Sequence, residues 1–584
     1  MPLGVQEGGL RGQVEINAKV ASVLEEVADL LELKEGTFFQ VRAYRRVARE
    51  IASLTEDLKD LYIRGHLDQV PGVGRAIHDK IVEIIRTGEL QYLNDLRNEF
   101  PAGLLQVMQV PDVGPKTAGR LYKELKVTNL QDLKAAAEQH RIRMLKGFGE
   151  RSEENILKGI RYLESRQGRM LLGYAYPRGR ALEEHMRASG FDLVSLGGSL
   201  RRMRETIGDI DILVGSEDAG RAADAFVSYP QAAEVLLRGD TKTSIRLTDG
   251  VQVDLRVVSP SSYGAALQYF TGSKEHNVSM RSLANEQGFK VNEYGVFRLS
   301  DGERVAGEDE EGVYEALGMQ WMPPEMREDR GEIALALRKE IPRVVTLSDI
   351  CGDLHTHSEA SDGVDSVEAM ASAAEARGYE YLAITDHSRS LTIGNGLSAE
   401  RLLENVDLVR KVQESHPRLR LLAGAEVEID ERGGLDYPQE LLADLDIVVA
   451  AVHSRFKMPP GEMTERLLNA ISNEHVDILA HPTGRIIGER EGYQFDMERV
   501  MQAARDHRVA LEVNSFPERL DLSDVHCAMA RERGVTVSIN TDAHNVRQLD
   551  YMLFGVATAK RGWVPPEQVL NALPWEALRK RLGL

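Results

Sequence analysis

Between residues 13 and 165 apolar positions return every three or four residues, as in NAKVASVLEEVADLLEL. That spacing predicts helices, broken by short Gly- and Pro-containing turns. Three turns recur: Pro71-Gly72-Val73-Gly74, Pro111-Asp112-Val113-Gly114 and Lys146-Gly147-Phe148-Gly149. From about residue 190 the pattern changes to strands with interspersed helices. In Val251-Gln252-Val253-Asp254-Leu255-Arg256-Val257 the apolar residues take every second place, so one face is core and the other carries Gln252, Asp254 and Arg256. After residue 350 short apolar runs appear near 350–355, 381–385, 421–429, 446–452, 476–480, 508–513 and 535–540. Helical stretches separate most of them, which implies parallel strands with crossover helices. Seven such strands suggest a closed or nearly closed barrel more than an open sheet. The acidic stretch 301–315 reads as a solvated loop or helix face. Residues 319–349, with Pro323-Pro324 ahead of charged sequence, read as an interdomain linker.

Composition changes this picture in one respect. The 584 residues are 42% apolar and 28% charged, which suits several globular domains. The net charge of −20 argues at first against a nucleic-acid binder. Residues 1–300 are neutral, however, with 41 basic and 41 acidic side chains, and the whole excess lies beyond them. Ten of the 15 His also follow residue 350. Two halves of different charge and His content point to two chemistries. Two Cys, Cys351 and Cys527, make no disulfide framework and suggest a reducing cytosol. No apolar stretch is long enough for a signal sequence or a membrane span, so a cytoplasmic protein is expected.

The first chemistry lies in Gly208-Asp209-Ile210-Asp211-Ile212-Leu213-Val214. Asp209 and Asp211 share a strand face, and Asp254 joins them if the two strands are neighbours. Three adjacent carboxylates repel unless cations neutralise them, and oxygen-only ligation suits Mg²⁺. Two such ions would assist attack by a hydroxyl and stabilise departing pyrophosphate. Upstream, Gly197-Gly198-Ser199-Leu200-Arg201-Arg202 offers backbone N–H groups, a hydroxyl and a guanidinium to phosphate.

This ordered set resembles the nucleotidyltransferase palm of the X-family DNA polymerases. The resemblance continues through Tyr269-Phe270-Thr271-Gly272-Ser273, Asn277, Arg281 and GFKVNEYGVF. It implies that Asp209, Asp211 and Asp254 bind two Mg²⁺ ions. It also implies that Gly198, Ser199 and Arg202 hold the triphosphate. Tyr269, Phe270 and Gly272 would line the sugar pocket, Ser273 would be a further substrate-binding residue, and Asn277 and Arg281 would probe the minor-groove side of the nascent pair. Met203 replaces a Gly common after the Arg pair, and Gln252 stands where some relatives have Arg.

The Gly-Val-Gly turns ahead of helices have the pattern of helix-hairpin-helix elements. Such a turn brings successive N–H groups to a DNA phosphate, whatever the sequence. Gly72, Gly74, Val113 and Gly114 are the candidate DNA contacts, and Asp112 makes the second copy the poorer match. Arg42, Arg45, Arg46 and Arg49 form a basic run on one helix, either a DNA-facing cluster or a solvated face. Residues 13–95 resemble the family's small lyase domain, whose Schiff-base Lys falls on Lys80. Phe39, Gln40 and Ala76 occupy positions that are basic in lyase-active relatives, so Lys80 is a candidate lyase residue or a surface Lys on a DNA-facing helix.

The second chemistry follows residue 350. Asp353-Leu354-His355-Thr356-His357 places two imidazoles on one strand face, and Asp362 follows. Later apolar runs end in His387, Glu426, His453, His481, Asp542 and His544. Strand C-termini gather at one face of a parallel barrel, where these side chains can converge. Mixed His and carboxylate ligation suits Zn²⁺, Mn²⁺ or Fe²⁺, and nine ligands suit two or three ions. The pattern resembles the polymerase-and-histidinol-phosphatase (PHP) family, a distorted seven-stranded barrel, with all nine ligand positions filled. It implies phosphoester hydrolysis, with His355, His357 and His453 among the catalytic residues and Mn²⁺ or Zn²⁺ as cofactor.

The expected organisation is an all-α helix-hairpin-helix front, an α+β palm and an α/β barrel. Its parts are a lyase-like DNA-binding domain (1–95), a helix-hairpin-helix subdomain (96–165), the palm (166–260), a nucleotide-selecting subdomain (261–318), a linker (319–349) and the barrel (350–584). Resemblance to bacterial chains that fuse these units implies a monomeric, nucleoid-associated gap-filling polymerase of base excision repair. It would act on gapped or nicked DNA and deoxynucleoside triphosphates and carry a 3′→5′ exonuclease, with cleavage at abasic sites a second use of the barrel. Two alternatives stay open: a small-molecule phosphatase tethered to DNA, and a DNA-binding scaffold without turnover.

Overall fold

The computed structural model describes residues 11–584, except 35–36, 53–57, 102, 109, 111–112, 151, 155, 158–159, 161–168 and 393. Pro111 and Asp112 of the second turn therefore lie outside the described residues. The chain divides into two compact units, residues 1–167 with 488–490, and the remainder.

The first unit is helical. Helix Arg11–Leu33 buries Val20, Leu24, Val27 and Leu31 against helices Phe38–Ala52 and Pro115–Leu125. The same backbone hydrogen bond recurs at the three Gly turns. Val73 N donates to Val70 O at 3.1 Å, Val113 N to Val110 O at 2.9 Å, and Phe148 N to Leu145 O at 3.0 Å. Gly72 and Gly147 have φ of +88° and +87°, a region that favours glycine. Arg45 is drawn into an ion group with Glu25, Asp29 and Glu32, at 3.5, 2.8 and 2.6 Å, because these carboxylates face it from helix Arg11–Leu33. Arg42 and Arg46 are exposed.

The second unit opens on a five-stranded sheet with spatial order Val194–Leu196, Ile210–Gly215, Gln252–Val258, Lys242–Leu247 and Ala232–Arg238. Helices Leu172–Ala188 and Ala219–Val227 cover it, packing Leu182, Met186 and Phe226 on Ile212, Val214, Val253 and Leu255. Strands Ile210–Gly215 and Gln252–Val258 are parallel neighbours, with Asp211 opposite Asp254. Helices Tyr263–Thr271 and Lys274–Glu286 and a three-stranded antiparallel sheet follow.

One expectation holds only in part here and another fails. The stretch 301–315 is not wholly solvated: Asp309 caps helix Glu310–Glu315, and Glu310 is only 5% exposed. Its carboxylate meets Arg327 at 2.6 Å and Arg201 at 2.7 Å, while Trp321 Nε1 donates to it at 3.0 Å. Residues 319–349 are packed rather than a tether. Met319, Met322, Met326, Arg327 and Glu332 have no exposed surface: Met319 and Met322 close the core beneath the small sheet, Met326 packs with Val344 and Trp563, and the charges pair with Glu310 and His276.

The barrel comprises seven parallel strands in chain order: Gly352–Asp353, Tyr381–Ile384, Arg420–Glu428, Ile447–Ala451, Ile478–Leu479, Ala510–Asn514 and Val537–Asn540. A bridge between Thr356 and Ala543 and the hydrogen bond from Thr541 N to Asp353 Oδ1 (3.2 Å) bring the edge strands together, leaving it nearly closed. Most strands are buried along their whole length, as expected when both faces are covered. Palm and barrel share a core: Ile487, Leu520, Phe554 and Ala557 join the cluster that contains Leu172 and Ala175. Among the described residues no helix is long and apolar enough to cross a membrane, and both Cys are free.

Candidate metal centres

In the palm, Asp209, Asp211 and Asp254 bring carboxylate oxygens within 4.8 Å of one another. Asp209 sits just ahead of its strand and is exposed, Asp211 is half-buried and Asp254 buried. Burial and the charges of Asp209 and Asp254 push Asp211 up to about 7. Burial works the same way on Asp254, but hydrogen bonds from Lys242, Ser244 and Gln252 outweigh it and hold that carboxyl below its usual range. Lys242 Nζ lies 2.6 Å from Asp254 Oδ2, and Gln252 Nε2 donates at 3.1 Å. A Lys on the adjacent antiparallel strand thus supplies the cation missing at position 252; one sequence alone does not reveal that pairing. The excess negative charge around Asp211, which Arg256 and Lys242 offset only in part, suits a divalent cation.

The glycine-rich loop fits tightly against this triad. Gly198 has φ +58°, and a Cβ there would lie 2.6 Å from Asp211 Oδ2, so only glycine is accommodated. Ser199 is half-buried at the start of the short helix Gly198–Arg201. Arg202 is engaged already: Nε donates to Glu328 Oε1 at 2.9 Å, and Nη1 donates to the Thr271 carbonyl. Tyr269 and Phe270 pack edge to face at 5.2 Å, and Arg256 lies 5.0 Å from the Phe270 ring centre. Gly272, at φ +68°, ends their helix, and Ser273 is buried as the cap of the next, accepting from His276 N. Asn277 donates to the Tyr269 carbonyl at 2.8 Å and accepts from Gln268, so it holds the shape of this segment. Arg281 is half-buried on the same helix.

In the helical unit Gly74 and Gly114 cap helices Arg75–Thr87 and Pro115–Leu125, and the space beside each is open. That leaves the helix N-termini accessible to a phosphate. Val113 is buried as the anchor of its turn. Lys80 Nζ donates to Ala76 O at 3.3 Å and lies 4.6 Å from the Tyr92 ring centre.

In the barrel all nine named ligands converge. Overlapping groups are formed by His357, Asp362, His387 and His544, by His355, His357 and Asp542, and by His387, Glu426 and His453. His481 Nε2 joins through Glu426 Oε1 at 2.9 Å. His355 Nε2 and His357 Nε2 face each other at 3.2 Å. His387 Nδ1 and Glu426 Oε2 lie 2.7 Å apart, yet neither is aligned for a hydrogen bond, and His357 Nδ1 and His481 Nδ1 are likewise buried without one. Ligand atoms gathered within 4.8 Å of one another, several of them without hydrogen-bond partners, suit metal ions. Two ligands, His481 (φ +28°) and Asp542 (φ +56°), accept left-handed backbone strain to be there.

The charges are strongly coupled. Burial opposes ionisation of His355, but Glu512, Glu426 and Asp542 raise it well above the usual imidazole range. Burial likewise opposes His387, which Glu426 and Asp362 nevertheless raise to about 10. Burial and the neighbouring His544 and His387 lower His357 to about 4. Burial would raise Glu426 and Asp542, but the surrounding imidazoles hold both carboxyls well below their usual range.

Three further residues orient the ligands, and sequence reasoning missed them. Glu512 Oε1 holds His355 Nδ1 at 2.7 Å, and Glu428 Oε2 holds His453 Nδ1 at 2.9 Å, turning each Nε2 inward. Asp386 takes Ser358 N at 2.9 Å, Ser361 Oγ at 2.5 Å and Asn405 Nδ2 at 2.9 Å, fixing the loop before Asp362. The only local signal was Glu428 standing two residues after Glu426 in a strand.

Comparison with known proteins agrees with this architecture. Residues 15–90 match a helix-hairpin-helix domain, and 64–126 and 103–161 match a SAM-like helix-hairpin-helix tandem. Residues 266–328 match the DNA polymerase beta thumb, and 353–516 the PHP domain. The chain is 39% identical over 558 residues to the DNA polymerase/3′-5′ exonuclease PolX of Bacillus subtilis (strain 168), covering 95% of this chain and 97% of that protein. A probable phosphatase of Acetivibrio thermocellus is 34% identical over 201 residues, 33% of this chain and 78% of its own. One of Thermoanaerobacter sp. (strain X514) is 29% identical over 230 residues, 38% of this chain and 89% of its own. With this full-length similarity, and with clustered ligands for divalent metal in both the palm and the barrel, the chain belongs to the family of DNA polymerase/3′-5′ exonuclease PolX proteins.

Proposed function

We propose that the protein is a DNA-templated, gap-filling DNA polymerase of base excision repair whose barrel is a metal-dependent 3′→5′ exonuclease. The observation that carries this reading is the presence, in one chain, of two separate ligand clusters: three carboxylates on paired strands and nine His and carboxylates at barrel strand ends. Asp209, Asp211 and Asp254 suit two Mg²⁺ ions, and the barrel set suits two or three Mn²⁺ or Zn²⁺ ions. When bound, the ions supply a more acidic attacking hydroxyl and charge stabilisation for the leaving group.

The chain's own residues do the rest. Lys242 keeps Asp254 ionised, and Gly198, Ser199 and Arg202 offer N–H, hydroxyl and guanidinium donors to a triphosphate beside the triad. Tyr269, Phe270 and Gly272 hold the sugar, Asn277 and Arg281 the minor-groove side, and the turns at Gly72 and Gly114 grip the DNA backbone of a gapped or nicked duplex. His355, His357 and His453 stand at the centre of the barrel set. The protein works as a cytoplasmic monomer at the nucleoid.

The test is reciprocal. Asp209→Ala abolishes incorporation at a one-nucleotide gap in Mg²⁺, by about 10³-fold or more for a loss of several kcal/mol, and leaves degradation of a 3′ end intact. His355→Ala does the reverse in Mn²⁺. Loss of both activities in either variant refutes separate centres. Turnover of a phosphorylated metabolite, with no degradation of a DNA 3′ end, would instead favour a phosphatase.

A further inference from the structure

Behind the phosphate loop, palm and barrel share a layer of charge that is unevenly matched. Four guanidiniums, Arg202, Arg204, Arg330 and Arg561, divide two carboxylates. Glu328 meets Arg202 at 2.9 Å, Arg561 at 3.0 Å and Arg204 at 3.4 Å. Asp524 meets Arg561 at 2.8 Å and Arg330 at 3.0 Å. Arg561 is the member that touches both acids. It ends the barrel helix Met552–Arg561, its side chain is 4% exposed, and its Nη1 also donates to the Arg202 carbonyl at 2.9 Å.

On the other side, Arg202 leads into the nucleotide segment. It donates to the Thr271 carbonyl, and its Nη1 lies 3.1 Å from where a Cβ of Gly272 would stand. A short polar chain therefore runs from the barrel through Arg561 and Arg202 to the Tyr269–Ser273 segment.

We infer that Arg561, a barrel residue, is a positioning residue for nucleotide binding in the palm. The inference rests on the reading of Arg202 as a triphosphate ligand. One carboxylate shared by three cations binds each less tightly than it would bind one. Arg561 shares Glu328 Oε1 with Arg202, so that less of that carboxylate's charge is spent on Arg202 and more of the guanidinium is left to a triphosphate, and it holds the Arg202 backbone in place. Without Arg561, Glu328 closes on Arg202, and an incoming triphosphate must compete with a tightened ion pair. Asp524 meanwhile retains Arg330, so removing Arg561 leaves no carboxylate of this layer without a cation.

The experiment is steady-state gap filling in Mg²⁺ with the full chain, reading KM for the nucleotide and kcat separately. Arg561→Met, which keeps the length and apolar stem, raises KM about fivefold, the size expected when one carboxylate contact is tightened and not wholly gained. It holds kcat within twofold and leaves 3′-end degradation unchanged. Arg561→Lys stays near the parent. Adding Glu328→Gln to Arg561→Met brings KM back, because the competing charge is gone. An unchanged KM in Arg561→Met, while Arg202→Ala raises it, overturns the inference alone. An unchanged KM in Arg202→Ala overturns the reading beneath it. A fall in kcat together with melting temperature, or a double variant worse than either single one, makes the contact merely structural and also overturns it.

Discussion

Glu512 allows the barrel centre to be weakened without removing a ligand. It is fully buried and surrounded by donors: His355 Nδ1 at 2.7 Å and Asn540 Nδ2 at 2.9 Å on one oxygen, His481 N at 2.7 Å and Asn514 Nδ2 at 3.1 Å on the other. Glu512→Gln keeps the shape but places an NH₂ where one of those oxygens was. If the amide oxygen stays with His355, the NH₂ faces the His481 N–H and the Asn514 amide. Two hydrogen bonds are lost and donors oppose each other, at about 1 kcal/mol or more each. The His355 ring is then held less firmly, and His481 moves with its backbone. Loss of such an outer partner typically costs about 10- to 100-fold in metal affinity, or roughly 1.4–2.8 kcal/mol. The assay is degradation of a 3′-labelled oligonucleotide across a Mn²⁺ titration, with metal content measured by mass spectrometry after dialysis at fixed free Mn²⁺. The expected outcome is a half-saturating Mn²⁺ concentration raised about 10- to 100-fold, activity recovered at high Mn²⁺, and unaltered gap filling in Mg²⁺. A half-saturating concentration within twofold of the parent would refute the argument that Glu512 orients the ligands.

Two further outcomes follow from the polymerase half and the helical unit. Glu310→Gln leaves Arg327, which has no exposed surface, without its carboxylate and destabilises by about 3 kcal/mol; the first melting transition falls by roughly 5–10 °C. Burial opposes ionisation of Glu310, but Arg327 and Arg201 hold its carboxyl far below the usual range. Its contribution is therefore complete above the unfolded-state pKa of about 4.3 and is lost as pH falls toward the folded value, so the gap between variant and parent should stay constant from pH 8 to 5 and shrink below that. Gly72→Ala forces a left-handed alanine whose Cβ lies 3.3 Å from Val47 Cγ2, costing about 1–2 kcal/mol; affinity for gapped duplex, read by fluorescence anisotropy, falls, while degradation of a short single strand does not.

The residues differ in how much of their role is local. Asp254 could be placed on a polar face because Val251, Val253, Leu255 and Val257 alternate around it, and the parallel register then set it opposite Asp211. The barrel ligands were visible for a similar reason: each later one closes an apolar run, and strand ends of a parallel barrel share one face. Glu310 was misread because it lies in an acidic stretch, where local charge density suggests solvent; its partners Arg327 and Arg201 are 17 and 109 residues away. Arg45 looked like part of a basic face until helix Arg11–Leu33 turned three carboxylates toward it.

By itself, then, the sequence determined the elements, the two chemistries and the ligand types, since periodicity and strand-end position are written within a few residues of each other. Tertiary structure decided which charges are spent on one another. Glu512 with His355, Lys242 with Asp254 and Glu328 with Arg202 and Arg561 are pairs made across distant segments. Their strength comes from burial and separation in space, and neither quantity has a local signature in the chain.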